Sequence, residues 1–459
     1  MSTTQSQAIS AILEGLGRDN IFMIHGKAGT GKSYLIRQLV EELGKTYSKD
    51  RIKVVSPTGL AASIVNGATI HRFFGLTNFK EGTYKTVGRA LGNHTVKERI
   101  KKTRILIIDE VSMVHRDVYT AIATIAALVS GEQVKGANWG AIPYHKKSDR
   151  IAESIKSTFG HIKIILVGDL HQLSPVDRRG YKDVWFFDSN RFSDAKCRLL
   201  ELTQVHRSSD EEYLEFLEQI RRGNNSDLVR HFLAERVQTP DTDTMRIYGK
   251  NEQVNEWNSK QLDRLPGIAV SFTSNYVAAL YSPEQADPIR IKNFSSAVLA
   301  ELRKNASFQP EISLKVGARV MILENDSDSN RYNNGHTGFI VQIAADHVSI
   351  QFDHTGEVVN IYPSEREILD PDYSLIGWEH NLPLTLAWAT TVHKAQGQTL
   401  DRVAVDLRGF WEPGQAYVAL SRSRRKEDLI VLGWDEKAIM PPNPHPTEWL
   451  QSLRMKRAG

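Results

Sequence analysis

The chain has 459 residues, 41% of them hydrophobic and 24% charged, with 58 basic against 54 acidic side chains. That length exceeds one compact core and calls for two to four domains, while a net charge of +4 does not by itself mark a polyanion binder. The single cysteine, Cys197, excludes an internal disulfide and any zinc site built from several thiolates. With no signal-peptide pattern in MSTTQSQAIS and no run near the roughly 20 apolar residues of a membrane span, a cytoplasmic protein without a membrane partner is expected.

The first strong signal is IFMIHGKAGTGKSYLIRQLV, residues 21–40. Ile21 to Ile24 reads as a buried strand and the spacing after Ser33 as a helix. Between them stand Gly26, the four residues Lys27, Ala28, Gly29 and Thr30, and then Gly31, Lys32 and Ser33, the spacing of a phosphate-binding loop. Glycines let backbone N–H groups curl around the phosphates of ATP, Lys32 neutralises phosphate charge, and Ser33 is placed to ligate Mg²⁺. Further on, VVSPTGLAASIV brings Pro57 and Thr58 to the end of another apolar strand, and His71 follows. The Thr58 hydroxyl suits a helix cap as well as a phosphodiester contact.

The run Ile105 to Ile108 ends in Asp109 and Glu110. A carboxylate leaving the C-terminal end of a parallel strand is placed to hold Mg²⁺ through water, and the next to polarise the attacking water. The strand from Ile162 to Val167 turns at Gly168 and Asp169, and Gln172 offers an uncharged amide to a γ-phosphate. Three strands ending in polar turns at one edge define an α/β nucleotide-hydrolysing domain. Downstream, Arg207 precedes an amphipathic helix and Arg422 follows an apolar segment, as a γ-phosphate clamp acting across a cleft requires. Residues 314–362 change to short strand-like runs separated by turns. TTVHKAQGQT, residues 390–399, then packs hydrogen-bonding side chains directly behind a strand-like run.

In this order the stretches GKAGTGKS, PTGLAA, DEVSM, GDLHQLSPV, HRSSDEEYLEFLEQIRRG, LKVGARVMIL with NNGHTG, TTVHKAQGQT and QAYVALSRSR resemble a superfamily-one DNA helicase of the PIF/RecD type, similar also to phage helicases of the Dda type. The resemblance spans Gln5 to Arg424. It implies an α/β fold of two RecA-like P-loop motor domains, residues 1–71 with 101–198 and 199–266 with 385–440. A small wedge at 72–100, an SH3-like β-barrel at 267–384 and a C-terminal tail at 441–459 would complete the chain.

By the same resemblance Gln5 reads the adenine edge, with Gln7 as competitor, and Gln396 and Gly397 face the nucleotide. Lys32, Ser33, Asp109, Glu110, Gln172, Arg207 and Arg422 serve hydrolysis, with Glu110 as base and the two arginines as γ-phosphate fingers. Pro57, Thr58, His71, Thr391 and His393 line a single-stranded DNA track, and Phe79 or Tyr84 in the wedge could stack on a base. The implied activity is ATP- and Mg²⁺-dependent unwinding by a monomer moving 5′ to 3′ on single-stranded DNA up to duplex junctions. A single-stranded-DNA-binding or replisome protein is a candidate partner. A translocase that displaces proteins or serves recombination with little unwinding, or a P-loop ATPase without a DNA substrate, are the rival readings. Two departures stand out: VHRDVYTAIATIAALVSG lacks the Asp-Lys-Leu start and paired arginines usual after DEVSM, which favours a bacterial or phage relative, and residues 131–160 read as an inserted surface loop.

Overall fold

The computed structural model describes residues 4–17, 21–76, 83–131, 159–175, 184–194, 197–242, 244–281, 288–306, 308–324, 326, 331–332, 335–353, 355–369, 375–400 and 402–458. Among these, β1 (Ile21–Gly26), β2 (Ile52–Ser56), β3 (Ala68–Thr69), β4 (Ile105–Ile108), β5 (Lys163–Gly168) and β6 (Cys197–Leu202) form a parallel sheet ordered β3-β2-β4-β5-β1-β6. β1 and β4 are buried at every position, as a parallel sheet covered on both faces demands. The strand period of two decides which face each side chain serves. Phe22 and Ile24 pack with Ala8 and Ile12 of the helix Gln5–Gly15 and with Leu35 and Leu39 of the helix Lys32–Gly44. Ile21 and Met23 face the other way, into the cluster that holds Ile122 and Ile125 of the helix Arg116–Val129.

Three features of this first motor differ from the sequence expectation. Residues 199–202, expected to open the second motor, complete β6, which adds in parallel to β1. From the 72–100 segment, Phe73, Phe74, Val87, Ala90, Val96 and Ile100 are buried in the same cluster as the helix Arg116–Val129, so these residues form a helical layer of the motor. The 441–459 segment holds the helix Pro444–Ala458, whose Leu450 and Leu453 enter that cluster too. Its Trp449 stacks on Phe187 with ring centroids 4.3 Å apart and donates its indole N–H to Asp194 at 2.9 Å.

The second motor is a smaller parallel sheet. After β7 (Met245–Tyr248) the chain leaves through β8 (Val270–Thr273) and returns by β18 (Leu384–Leu386) to β19 (Ala389–Thr391), β20 (Val403–Asp406) and β21 (Leu429–Gly433). The order is β19-β7-β20-β21. Asn258 fixes the return: its amide donates to the Leu386 and Ala389 carbonyls at 3.2 Å and accepts from the Ala389 N–H at 2.8 Å. The excursion contains a sheet of β9 (Asn275–Leu280), β10 (Ile289–Ile291), β16 (Ser364–Leu369) and β17 (Leu375–Asn381), and β11 (Glu311–Leu314) pairs with β8. It also contains an antiparallel sheet of β12 (Arg319–Ile322), β13 (Thr337–Ile343), β14 (Val348–Phe352), β15 (Val358–Ile361) and β18, around a core with Val320, Ile340, Ile350 and Phe352. No helix among the described residues is long and apolar enough to cross a membrane.

Because Trp449 fastens the C-terminal helix to the first motor, Trp449→Ala is expected to lower that motor's stability by about 3 kcal/mol. Denaturant unfolding that leaves the midpoint unchanged would show the helix to be a passive appendage.

Candidate functional site

The phosphate loop joins β1 to the helix Lys32–Gly44, with Gly31 as N-cap. Gly29 (φ +81°) and Gly31 (φ +77°) are left-handed, and a Cβ on Gly31 would lie 2.1 Å from the Gln5 amide nitrogen. Gln5 donates to the Thr30 carbonyl at 2.9 Å and so braces the loop from behind. Gln7 is committed elsewhere, in a reciprocal helix cap with Thr4. The Thr30 hydroxyl donates to the Lys27 carbonyl. Lys32 Nζ spans the loop, donating to the carbonyls of Gly26 (2.9 Å) and Lys27 (3.1 Å). Burial pulls the Lys32 ammonium below its ordinary pKa, while Asp169, Glu110 and Asp109 act in the opposite sense.

Asp109 and Glu110 leave the C-terminal end of β4. Burial, reinforced by the Glu110 charge, raises the Asp109 carboxyl to about 7. Glu110 adopts φ +49°, a left-handed backbone that costs a non-glycine residue ~1–3 kcal/mol. That conformation aims its carboxylate over the cleft, where it accepts from the Gln396 amide of the second motor at 3.2 Å. Among the described residues the amide oxygens of Gln172 and Gln396 are both buried without a hydrogen-bond partner, so each has the capacity to accept from a water.

From the other side, the His206 and Arg207 N–H groups donate to the Gly29 carbonyl at 2.8 and 3.2 Å. The Arg207 guanidinium donates to the Ser421 carbonyl. Arg422 is 2% exposed and donates to Val418 O (2.6 Å), Gln398 O (2.9 Å) and Ser421 Oγ (2.9 Å). Burial, with Arg207 as a like charge nearby, brings its pKa down to about 9. These walls enclose a cavity of about 380 Å³ lined by Ala28, Gly29, Gly31, Lys32, Ser33, Glu110, Gln172, Arg207, Gly397 and Arg422 among others. Five cationic side chains, Lys32, Arg37, Arg207, Arg422 and Arg424, face it against the one carboxylate of Glu110, a charge balance suited to a polyphosphate.

The DNA-track candidates are divided. The Thr58 hydroxyl accepts from the Ala61 N–H at 3.2 Å, capping the helix Gly59–Ile64 beside Pro57. Thr391 is buried and caps the helix Val392–Ala395 through the Lys394 N–H. Burial lowers the pKa of His71 to about 4, so its imidazole is neutral at pH 7. His393 keeps 31% of its side chain exposed. Phe79 lies outside the described residues, as does the side chain of Tyr84.

Sequence reasoning missed the grip of the second motor on the loop itself. The Ala28 N–H donates to the Tyr417 hydroxyl at 2.7 Å. Lys27 pairs with Glu218 at 2.6 Å, so its side chain is turned to the second motor and only its backbone serves the loop. Arg221 pairs with fully buried Asp169 at 3.3 Å. Arg221 sits eight residues after Tyr213, on the apolar stripe of the helix Glu211–Arg222, and a charge on a buried stripe was the signal for it.

One polyphosphate cavity walled by two separate parallel sheets is the arrangement of a two-motor P-loop nucleoside triphosphatase. The family model described as PIF1-like helicase matches residues 1–231. Over 442 residues, the chain is 32% identical to the ATP-dependent DNA helicase Pif1 of Bdellovibrio bacteriovorus, covering 96% of this chain and 89% of that protein. The chain thus belongs to the PIF1-like helicase family. Human ATP-dependent DNA helicase PIF1 is 29% identical over 463 residues, an alignment that spans 64% of the human protein. The crystal structure of Pif1 helicase from Candida albicans shares the fold with a TM-score of 0.78, at 27% identity over 99% of both chains. Pif1 helicase from Bacteroides, in complex with ADP-AlF3 and single-stranded DNA, shares it with a TM-score of 0.72 at 24% identity, over 99% of this chain and 98% of that one.

Between about pH 4 and pH 7 the unfolded chain carries Asp109 ionised, while the folded, metal-free site keeps it protonated. This group therefore makes folding less favourable as pH rises through that window. Asp109→Asn is expected to flatten the fall in stability from pH 5 to pH 8, measured by denaturant unfolding in the presence of a chelator. Equal pH slopes for variant and parent would count against a raised Asp109 acid.

Proposed function

We propose that this enzyme is an ATP-dependent DNA helicase that translocates on single-stranded DNA, 5′ to 3′, and opens duplexes at their junctions with single strands. The observation that carries the reading is the shared cavity. Glu110 and Lys32 come from one motor, Gln396 and Arg422 from the other, and the Gln396–Glu110 hydrogen bond joins them across the cleft. A triphosphate in that cavity draws both motors together, and its hydrolysis removes the charge that the arginines hold, which converts chemistry into relative motion of two sheets. Relatives named as ATP-dependent DNA helicases over almost the whole chain support DNA as the substrate.

In this reading Glu110 takes the proton of the attacking water, Gln172 and Gln396 orient that water through their free amide oxygens, and Arg207 and Arg422 turn from their carbonyl partners to the γ-phosphate. Ser33 and Asp109 would hold Mg²⁺, which supplies charge neutralisation of the β- and γ-phosphates. The donor set fits: Ser33 lines the cavity and Asp109 directly follows β4, and Mg²⁺ is commonly held by one or two carboxylates plus substrate phosphates. Gln5 would shift from the loop carbonyls to the adenine edge. The sheet β12–β15 with β18 is the SH3-like accessory module. Since both walls of the cavity belong to one chain, a monomer suffices for hydrolysis. Single-stranded-DNA-binding or replisome proteins are the partners to test.

Lys32→Ala is expected to abolish hydrolysis while leaving single-stranded DNA affinity within about threefold, because phosphate neutralisation and the track use different residues. Arg422→Ala should retain nucleotide binding and lose ~10³-fold in turnover. Duplexes with a 5′ or a 3′ single-stranded tail, unwound side by side, test polarity: opening only the 3′-tailed duplex would reverse the assignment, and an ATPase indifferent to single-stranded DNA would remove the helicase reading.

A further inference from the structure

Outside the nucleotide cavity, the loop that carries Gln172 is embedded in the opposite motor. Leu173 is fully buried in the second motor's core with Tyr213, Phe216 and Val392. Gly414, at φ +85°, presses its backbone onto the same loop, since a Cβ there would lie 2.6 Å from the Gln172 carbonyl oxygen. Two residues earlier, Glu412 reaches in both directions. One carboxylate oxygen accepts from the Ser174 hydroxyl at 2.6 Å, and the other stands 3.7 Å from His393 Nε2. A single acidic side chain thus touches the loop that holds Gln172 on one side and the exposed histidine of TTVHKAQGQT on the other.

We propose that Glu412 is a positioning residue that passes occupancy of the DNA track at His393 to the Gln172 loop, an inference that rests on the DNA-helicase reading above. A phosphodiester arriving at His393 brings a negative charge beside Glu412 and repels the carboxylate, which stands 3.7 Å from His393 Nε2. Glu412 then bears on Ser174 alone. Because Leu173 and Gly414 leave the loop no slack, that displacement moves Gln172, which lines the nucleotide cavity. The ligand sensed is a phosphodiester backbone, independent of base sequence.

Glu412→Gln keeps an acceptor for Ser174 and removes the charge facing His393, whereas Ser174→Ala removes the hydrogen bond and keeps the charge. The readout is the ratio of ATPase turnover with oligo-dT to turnover without it, beside KM for ATP and oligo-dT affinity by anisotropy. Each variant is expected to lose about threefold or more of the ratio, and the double variant no more than the larger single loss, as members of one pathway do. DNA-free turnover and KM for ATP should stay within about twofold, and oligo-dT should bind Glu412→Gln as tightly as the parent or tighter. Ratios unchanged in both variants, losses that add in the double variant, or turnover falling in equal proportion with and without DNA would overturn the role of Glu412. A parent enzyme that oligo-dT does not stimulate would sink the helicase reading and this inference together, which separates the two failures.

Discussion

The constraint on which the cleft depends is the burial of Asp169. Burial alone would raise its carboxyl, but Arg221, with His25 and Lys32 behind it, holds it well below the usual carboxylate range. Arg221 belongs to the second motor and Asp169 follows a strand of the first, so this ion pair forms only while the two motors stay in register. Removing one partner of such a pair typically costs about 3–5 kcal/mol. The Lys27–Glu218 pair and the Tyr417 hydrogen bond to Ala28 lie along the same seam, and Leu173 plugs it with apolar surface. The phosphate loop is thereby shaped by contacts from both motors.

What that seam holds in place is a cavity with too much positive charge for a protein interior. Lys32 and Arg422 both sit below their ordinary pKa because burial penalises their charged forms. Their donors are spent on carbonyls of the loop and of the helix end, which satisfies hydrogen bonding without supplying a counter-charge. Glu110 adds backbone strain to the same spot. A polyanion relieves the penalty on both cations together, so nucleotide binding and stabilisation of the closed pair of motors are one free-energy change seen from two directions.

The sequence disclosed what is local and withheld what is tertiary. The phosphate loop, the strand ends at Asp109 and Asp169, and the two arginines were legible because each depends on a few consecutive residues and a strand-then-turn pattern. The boundary expected at 199 falls inside β6, because an edge strand that adds to β1 carries no mark of which sheet it joins. The C-terminal helix begins in a proline-rich stretch and shows little amphipathic pattern, so only its packing against Phe187 identifies it as part of the motor. Tyr417, Glu218, Arg221 and Glu412 escaped because each meets a partner far away in the chain: Ala28, Lys27, Asp169 and Ser174. The hydroxyls of Thr58 and Thr391 both accept from a backbone N–H as helix caps, the alternative that the sequence leaves open for Thr58, and each keeps its O–H as a donor.

The polar crowding of TTVHKAQGQT has a physical cause in this arrangement. β19 ends where three different surfaces meet, and a segment at such a junction cannot bury apolar side chains against all of them. Thr391 turns inward to cap its own helix, His393 looks toward Glu412, Gln396 crosses to Glu110, and Gly397 leaves room at the cavity wall. Each polar group answers a different neighbour within two helical turns. A shift of this short helix therefore displaces the Glu110 contact and the Glu412 contact together, so the Glu110 carboxylate and the half-buried His393 are mechanically linked.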